Sequence, residues 1–185
     1  MTIVVLGGVD LTPRYHTIDL GGVQVQRVHF HDGEKQFAVT INPEVEIQRV
    51  QNGAVFRFKP FSMADMILRQ SGISPAVPFS GEKLPDYRRA AREQLGAAAE
   101  IVSEGEPEFD VLPIHGWKSC RFNFTTKHAG YQVKTDVTFL NLSADQQIVI
   151  VTSSKEKDFP EVQVRAHKIM SRWHEVLPGD ELGQN

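Results

Sequence analysis

Apolar residues follow two periods along this chain. From Val23 to His31 they alternate loosely, and Phe37, Val39 and Ile41 alternate cleanly with Gln36, Ala38 and Thr40. A period of two marks a half-buried strand. Asp32-Gly33-Glu34-Lys35 is a turn signal between these two segments. Pro43 stops the second, Val45, Ile47 and Arg49 begin a third, and Asn52-Gly53 reads as a type I′ hairpin turn. Phe56 and Phe58 then share one face of the return strand. Ser62 to Gln70 reads as a short helix with Ser62 as N-cap and Gly72 as stop. A proline-containing connection, Ile73 to Leu84, leads to Pro85, which suits the first turn of a long helix. Tyr87, Ala90, Ala91, Leu95, Ala98, Ile101 and Val102 form its apolar stripe, and Gly105 and Pro107 end it.

Trp117 to Thr126 and Tyr131 to Asn141 read as a hairpin closed at Ala129-Gly130, with Cys120, Phe122, Phe124, Tyr131, Val133, Val137 and Phe139 facing inward. Ile148 to Val151 is apolar at every position, the pattern of a strand covered on both faces. Asp158-Phe159-Pro160-Glu161 is an acidic capping box, and Phe159, Val162, Ala166, Ile169, Met170, Trp173 and Leu177 repeat at helical spacing up to Pro178-Gly179. This periodicity predicts that Phe159, Met170 and Trp173 are buried against the sheet carrying Phe139 and Val149. Strands joined by tight turns and segregated from helices predict an α+β protein with a mainly antiparallel sheet.

The segment Phe37-Ala38-Val39-Thr40-Ile41-Asn42-Pro43, the aromatic hairpin, the apolar strand Ile148 to Val151 and the closing helix near Trp173 together resemble the PsbP-like proteins. That group includes the extrinsic photosystem subunit and a nuclear Ran-binding relative. The resemblance runs from Phe37 to Leu177; where family members usually carry a tryptophan after the proline, Glu44-Val45 stands here. It implies a three-layer α/β/α sandwich and an accessory, binding role without a shared catalytic site. On this reading residues 1–32 are lead-in strands packed on the domain, 33–178 form the domain, and 179–185 are a frayed tail.

Composition sharpens the picture in three ways. With 185 residues and 41% hydrophobic residues the chain can bury a real core without staples. A net charge of -3 speaks against a globally basic nucleic-acid binder. One cysteine excludes an internal disulfide and a multi-thiolate zinc site. No apolar run is long enough for a helical membrane span. The start lacks the basic region of a signal peptide, so a cytoplasmic location is expected.

Candidate chemistry is sparse, and no cofactor is expected. His29 and His31 lie on one strand face, with Glu34 and His16 as further ligand candidates, but two fixed ligands fall short of a zinc site. Cys120, between aromatic positions, reads as a buried structural thiol. Ser154-x-x-Lys157 has no companion motif, and Gly7-Gly8 opens no helix. The charges of the Pro85 helix are more informative. Arg88, Arg89 and Arg92 stand near its positive end, and Glu100 and Glu104 would stand at its negative end, both against the dipole. Removing the arginines should therefore leave stability equal or raise it. Arg165, Lys168 and Arg172 form a second basic stripe that Glu161 and Glu175 can neutralise at helical spacing.

The expected function is a non-enzymatic binding or accessory role toward a protein partner, an acidic one being favoured. The expected contact surface is the loop Ile73 to Leu84, with Val77 and Phe79 as apolar anchors, plus Arg88, Arg89 and Arg92. The alternative is a small-molecule or metal-dependent enzyme with a pocket near His29, His31 and the same loop.

Overall fold

The structure, a computed structural model, describes residues 9–32, 35–51, 53–71, 79–112, 114–143 and 146–177. In chain order the strands are β1 (Val9–Leu20), β2 (Val23–Asp32), β3 (Lys35–Ile41), β4 (Val45–Val50), β5 (Gly53–Phe58) and β6 (Ala64–Gln70). After helix α1 (Leu84–Glu93) come β7 (Glu100–Glu104), β8 (Glu108–Phe109), β9 (Lys118–His128), β10 (Tyr131–Asn141) and β11 (Gln147–Lys155), then helix α2 (Phe159–Ser171) and β12 (His174–Val176). Among the described residues they build two antiparallel sheets. One has the order β1-β2-β3-β12; the other runs β4-β5-β6-β11-β10-β9-β7, with β8 also on β9.

Strand β11 explains the layering. Its side chains alternate between the two faces of the larger sheet. Ile148 and Ile150 join a core with Met66, Leu68 and Leu140, the α2 residues Val162, Ala166, Ile169 and Met170, and the inner face of the four-stranded sheet. Val149 and Val151 join a second core with Cys120, Phe122, Phe139 and the α1 residues Tyr87 and Ala91. The fold is thus α+β and mainly antiparallel, as expected. It is not the expected α/β/α sandwich: α1 lies on one face, while α2 shares the other with a second sheet.

Several local expectations are corrected. Residues Ser62 to Gln70 contain the strand β6, not a helix. Ala64, Met66 and Leu68 are buried on one face, and pairing with β5 and β11 outweighs the helix preference of Ala, Met and Leu. The Pro85 helix ends at Glu93, not Val102. Gly96 takes φ 83°, a conformation that breaks the helix, and Ile101 and Val102 are exposed on β7 instead of forming an apolar stripe. The last helix ends at Ser171, and β12 pairs with Gln36–Ala38 of β3, so Leu177 is not a helix residue. Asp158 makes no side-chain cap bond. The expected burial of Phe159, Met170 and Trp173 holds, and α2 packs on the sheet that carries Phe139 and Val149, but on its opposite face, through Ile148 and Ile150; Trp173 also packs on Phe30 and Phe37. Tyr131, expected inside, is exposed beneath the Lys155 ammonium, 4.3 Å from its ring centroid.

Within residues 1–32, β1 spans 12 residues and pairs with β2 through Gly21-Gly22. Both glycines have positive φ, and Asp19 Oδ1 accepts the Gly22 N–H at 2.7 Å. The Ala129-Gly130 turn also has positive φ at both residues, as a type I′ turn requires.

Candidate functional site

Pairing, not repulsion, explains the α1 arginines. Glu104 lies on β7 and not on the helix; its side chain, 11% exposed, receives Arg88 and Arg92, each at 2.7 Å. Arg92 completes a fork with Nε at 2.9 Å from the same oxygen. Arg89 pairs with Asp86 at 2.7 Å. Glu100 and Glu104 therefore do not oppose the α1 dipole, because they belong to a strand. The clamp fastens α1 to the sheet edge. Glu104→Gln is expected to lower stability by about 1–2 kcal/mol, discounted for the exposed Arg92 side. Replacing Arg88 and Arg92 by glutamine should likewise lower the melting temperature, opposite to the sequence-based expectation. An unchanged urea midpoint in Glu104→Gln would show that the clamp contributes nothing.

The other expected site residues scatter. Phe79 stacks on the buried Tyr87, with centroids 4.9 Å apart, so it serves the α1 core. Val77 and the loop 72–78 lie outside the described residues. His29 and His31 do share one face of β2. His29 is only 1% exposed and meets Gln36 Nε2 at 3.0 Å through Nδ1. His31 Nε2 lies 3.3 Å from an Arg14 nitrogen. Glu34 and the His16 side chain lie outside the described residues. Among those described, no group of three His, Cys, Asp or Glu side chains is placed to hold a metal ion. Cys120 is buried, and burial pushes its thiol up to about 12, against the opposing pull of Arg88. That suppresses the thiolate a nucleophile needs.

The early end of α2 creates a different site. With β12 drawn to β3, Glu175 pairs with Lys35 at 3.7 Å and is not the partner of Arg172. Arg165 is doubly held, by Glu161 at 2.8 Å and Glu44 at 2.6 Å, with its guanidinium 5.3 Å from the Phe61 ring centroid. Lys168 and Arg172 are exposed and make no ion pair among the described residues. Both line a groove of about 350 Å³ between α2 and the β3–β4 junction, floored by Val45, Phe58 and Ile169, edged by Thr40 and Asn42, and bordered by Glu44 and Glu161, whose charges Arg165 holds. This arrangement can accept negative charge at one end and apolar groups along its floor. Sequence reading missed it because no glycine or proline marks the end of α2 before Pro178.

Under the N-terminal half of α2 lies a buried polar network. Gln163 donates to Asp136 Oδ2 at 2.6 Å, and the same oxygen is 3.5 Å from Arg121. Arg121 also bonds Glu108 and lies 3.5 Å from His167 Nε2. Burial opposes Glu108's charge, but bonds from Arg121 and Asn123 outweigh it and lower its pKa. Burial first, and Arg121 second, lower the pKa of His167 from 6.5. The folded state thus favours neutral imidazole, so its contribution is full above pH 6.5 and is lost as pH falls. Denaturant midpoints on either side of that value should show this acid slope, and His167→Gln should flatten it.

No family model matches the sequence, and no curated protein matches it. Solved structures do match. CyanoP, the cyanobacterial PsbP of Synechocystis sp. PCC 6803, superposes with a TM-score of 0.51 at 15% identity, covering 85% of this chain and 98% of its own. The fold resembles that of a PsbP protein. LpqN of Mycobacterium tuberculosis, involved in cell envelope biogenesis, also gives 0.51, at 9% identity, over 83% of this chain and 92% of its own. A Pseudomonas aeruginosa protein of unknown function, PA94, described as a putative regulator, gives 0.43 at 9% identity over 91% and 99%. At these identities the PsbP-like likeness is one of fold.

Proposed function

We propose that this chain is a non-enzymatic binding or accessory protein that engages an acidic protein partner across the groove beside α2. The observation supporting this is the pair Lys168 and Arg172, two exposed cations without ion pairs among the described residues, above an apolar floor. Charge of this kind steers and orients a partner more than it adds affinity. The accessory character that a PsbP-like resemblance implies agrees with this reading, and a cytoplasmic location is part of the proposal. The surface first expected, at Arg88, Arg89 and Arg92, is the less favoured version, because those three guanidiniums are already paired.

Fluorescence anisotropy with a Glu-rich peptide and its Gln-substituted counterpart tests the proposal at two ionic strengths. Binding of the acidic peptide should weaken with salt. It should also fall about tenfold in Lys168→Gln/Arg172→Gln, as expected for losing two partly screened charge contacts. Equal binding of both peptides, or an unaffected double variant, would remove the groove from consideration.

A further inference from the structure

The larger sheet carries an unexpected row of polar side chains on the face that packs against α2. On β10 and β11 that face runs through Leu140, Ile148 and Ile150, all core residues. Further along the same strands it turns polar. Asp136 stands opposite Asn123 on β9 and Thr152 on β11. In the next row, Lys134 stands opposite Thr125 and Ser154, and Thr125 in turn opposite Ser103 on β7. Residues two apart on a strand share a face, so these rows form one polar shelf over four strands.

The shelf borders a cavity of about 340 Å³ lined by Ser103, Asn123, Thr125, Lys134, Asp136 and Phe159. Asp136 is 4% exposed. Its Oδ2 takes both Gln163 and Arg121, while Oδ1 makes no bond among the described residues. The hydroxyls of Ser103 and Thr125 are likewise unengaged there. Lys134 is tied to Glu156 at 3.3 Å at the rim. That spare oxygen is not among the buried unpartnered atoms, so it is open to a donor from the cavity. Burial raises the Asp136 pKa despite Gln163, Arg121 and Lys134, with Glu108 adding to the rise.

The geometry points to a binding site on this shelf for a small polyhydroxylated ligand, the size of one sugar ring or a cyclic polyol. Hydroxyl groups both donate and accept, which matches the spare Asp136 oxygen, two hydroxyls, the Lys134 ammonium and the oxygen of the Asn123 amide, whose Nδ2 already donates to Glu108 at 2.6 Å. Phe159 supplies an apolar wall for the C–H edge of a ring. An amine fits less well, since Lys134 already places positive charge at the rim. Two polar rows about 7 Å apart along the strands, from their rise per residue, span one pyranose ring. The site is separate from the Lys168 and Arg172 groove, and does not depend on the acidic-partner reading.

The test is NMR titration of the full chain with four probes: D-glucose, D-galactose, myo-inositol and glycerol. At least one ring-bearing probe should give saturable shifts at Ser103, Thr125, Lys134 and Asp136, with glycerol weaker. Asp136→Asn should weaken that binding about tenfold, the effect of one hydrogen bond to a charged group. Thr125→Val, at a half-buried surface position, should weaken it with little change in melting temperature. Lys168→Gln/Arg172→Gln should leave it intact. No saturable shift with any probe would overturn the proposal, as would shifts that persist unchanged in a folded Thr125→Val and Asp136→Asn.

Discussion

Trp173→Ala is expected to cost about 3–5 kcal/mol of folding stability, the largest effect of any substitution considered for this chain. Trp173 is 3% exposed and sits where three elements meet. Its ring lies 5.1 Å from that of Phe30 on β2 and 6.1 Å from that of Phe37 on β3, nearly edge-on to the latter. His115 bonds its carbonyl at 2.8 Å, tying down the loop before β9. It is also the residue at which α2 gives way to β12. Alanine there leaves a cavity among aromatic groups and loosens the docking of β12 on β3. Urea unfolding should show a midpoint shift of that size; a loss below about 1 kcal/mol would mean that the site collapses and that the ring is not a keystone of the core.

Gly53→Ala should be nearly as damaging, about 3 kcal/mol. The residue is the first of β5 and pairs with Val50 of β4, so it belongs to the strand and not, as the sequence suggests, to the turn. A Cβ at position 53 would collide with the main-chain oxygen of Leu68 on β6, and backbone cannot move aside as a side-chain tip can. Gly130 provides the comparison. It has φ 81° and open space around its Cα, so alanine there costs backbone strain alone, about 1 kcal/mol. Thermal melts of the two variants side by side should show the larger drop for Gly53→Ala. The reverse order would mean that Gly53 is a turn glycine after all.

Much of the sheet was legible because its residues obey one rule at a time. Ile148 to Val151 is apolar at each step, and the structure buries it on both faces. Phe37, Val39 and Ile41 alternate and are buried, and Ala129-Gly130 closes a hairpin. The failures occur where a local preference conflicts with a distant partner. Met66 and Leu68 favour helices, but β5 and β11 offer hydrogen bonds that only a strand can take. Ala97, Ala98 and Ala99 extend the helical pattern beyond Glu93, past a glycine that in fact ends it. The site was less legible for the same reason. The partner of Arg88 and Arg92 depended on where α1 stops, and the freedom of Arg172 on where α2 stops. Charge pairing read at helical spacing is only as sound as the helix length beneath it. The polar shelf was invisible because Asn123, Asp136 and Ser103 meet through strand register alone.

The position of β11 has a consequence for how the chain acquires its shape. β11 lies between β6 and β10, yet it follows both in sequence. While the chain emerges from the ribosome, β4, β5 and β6 can form one ribbon and β9 and β10 another, but nothing joins them. Each ribbon then presents an open strand edge, Ala64–Gln70 on one and Tyr131–Asn141 on the other, and such edges invite pairing with a neighbouring chain. Only when Gln147–Lys155 slots in do the two ribbons become one sheet. A nascent chain stalled before that segment should be the species that aggregates or recruits chaperones, and closure across β11 should set the pace of refolding.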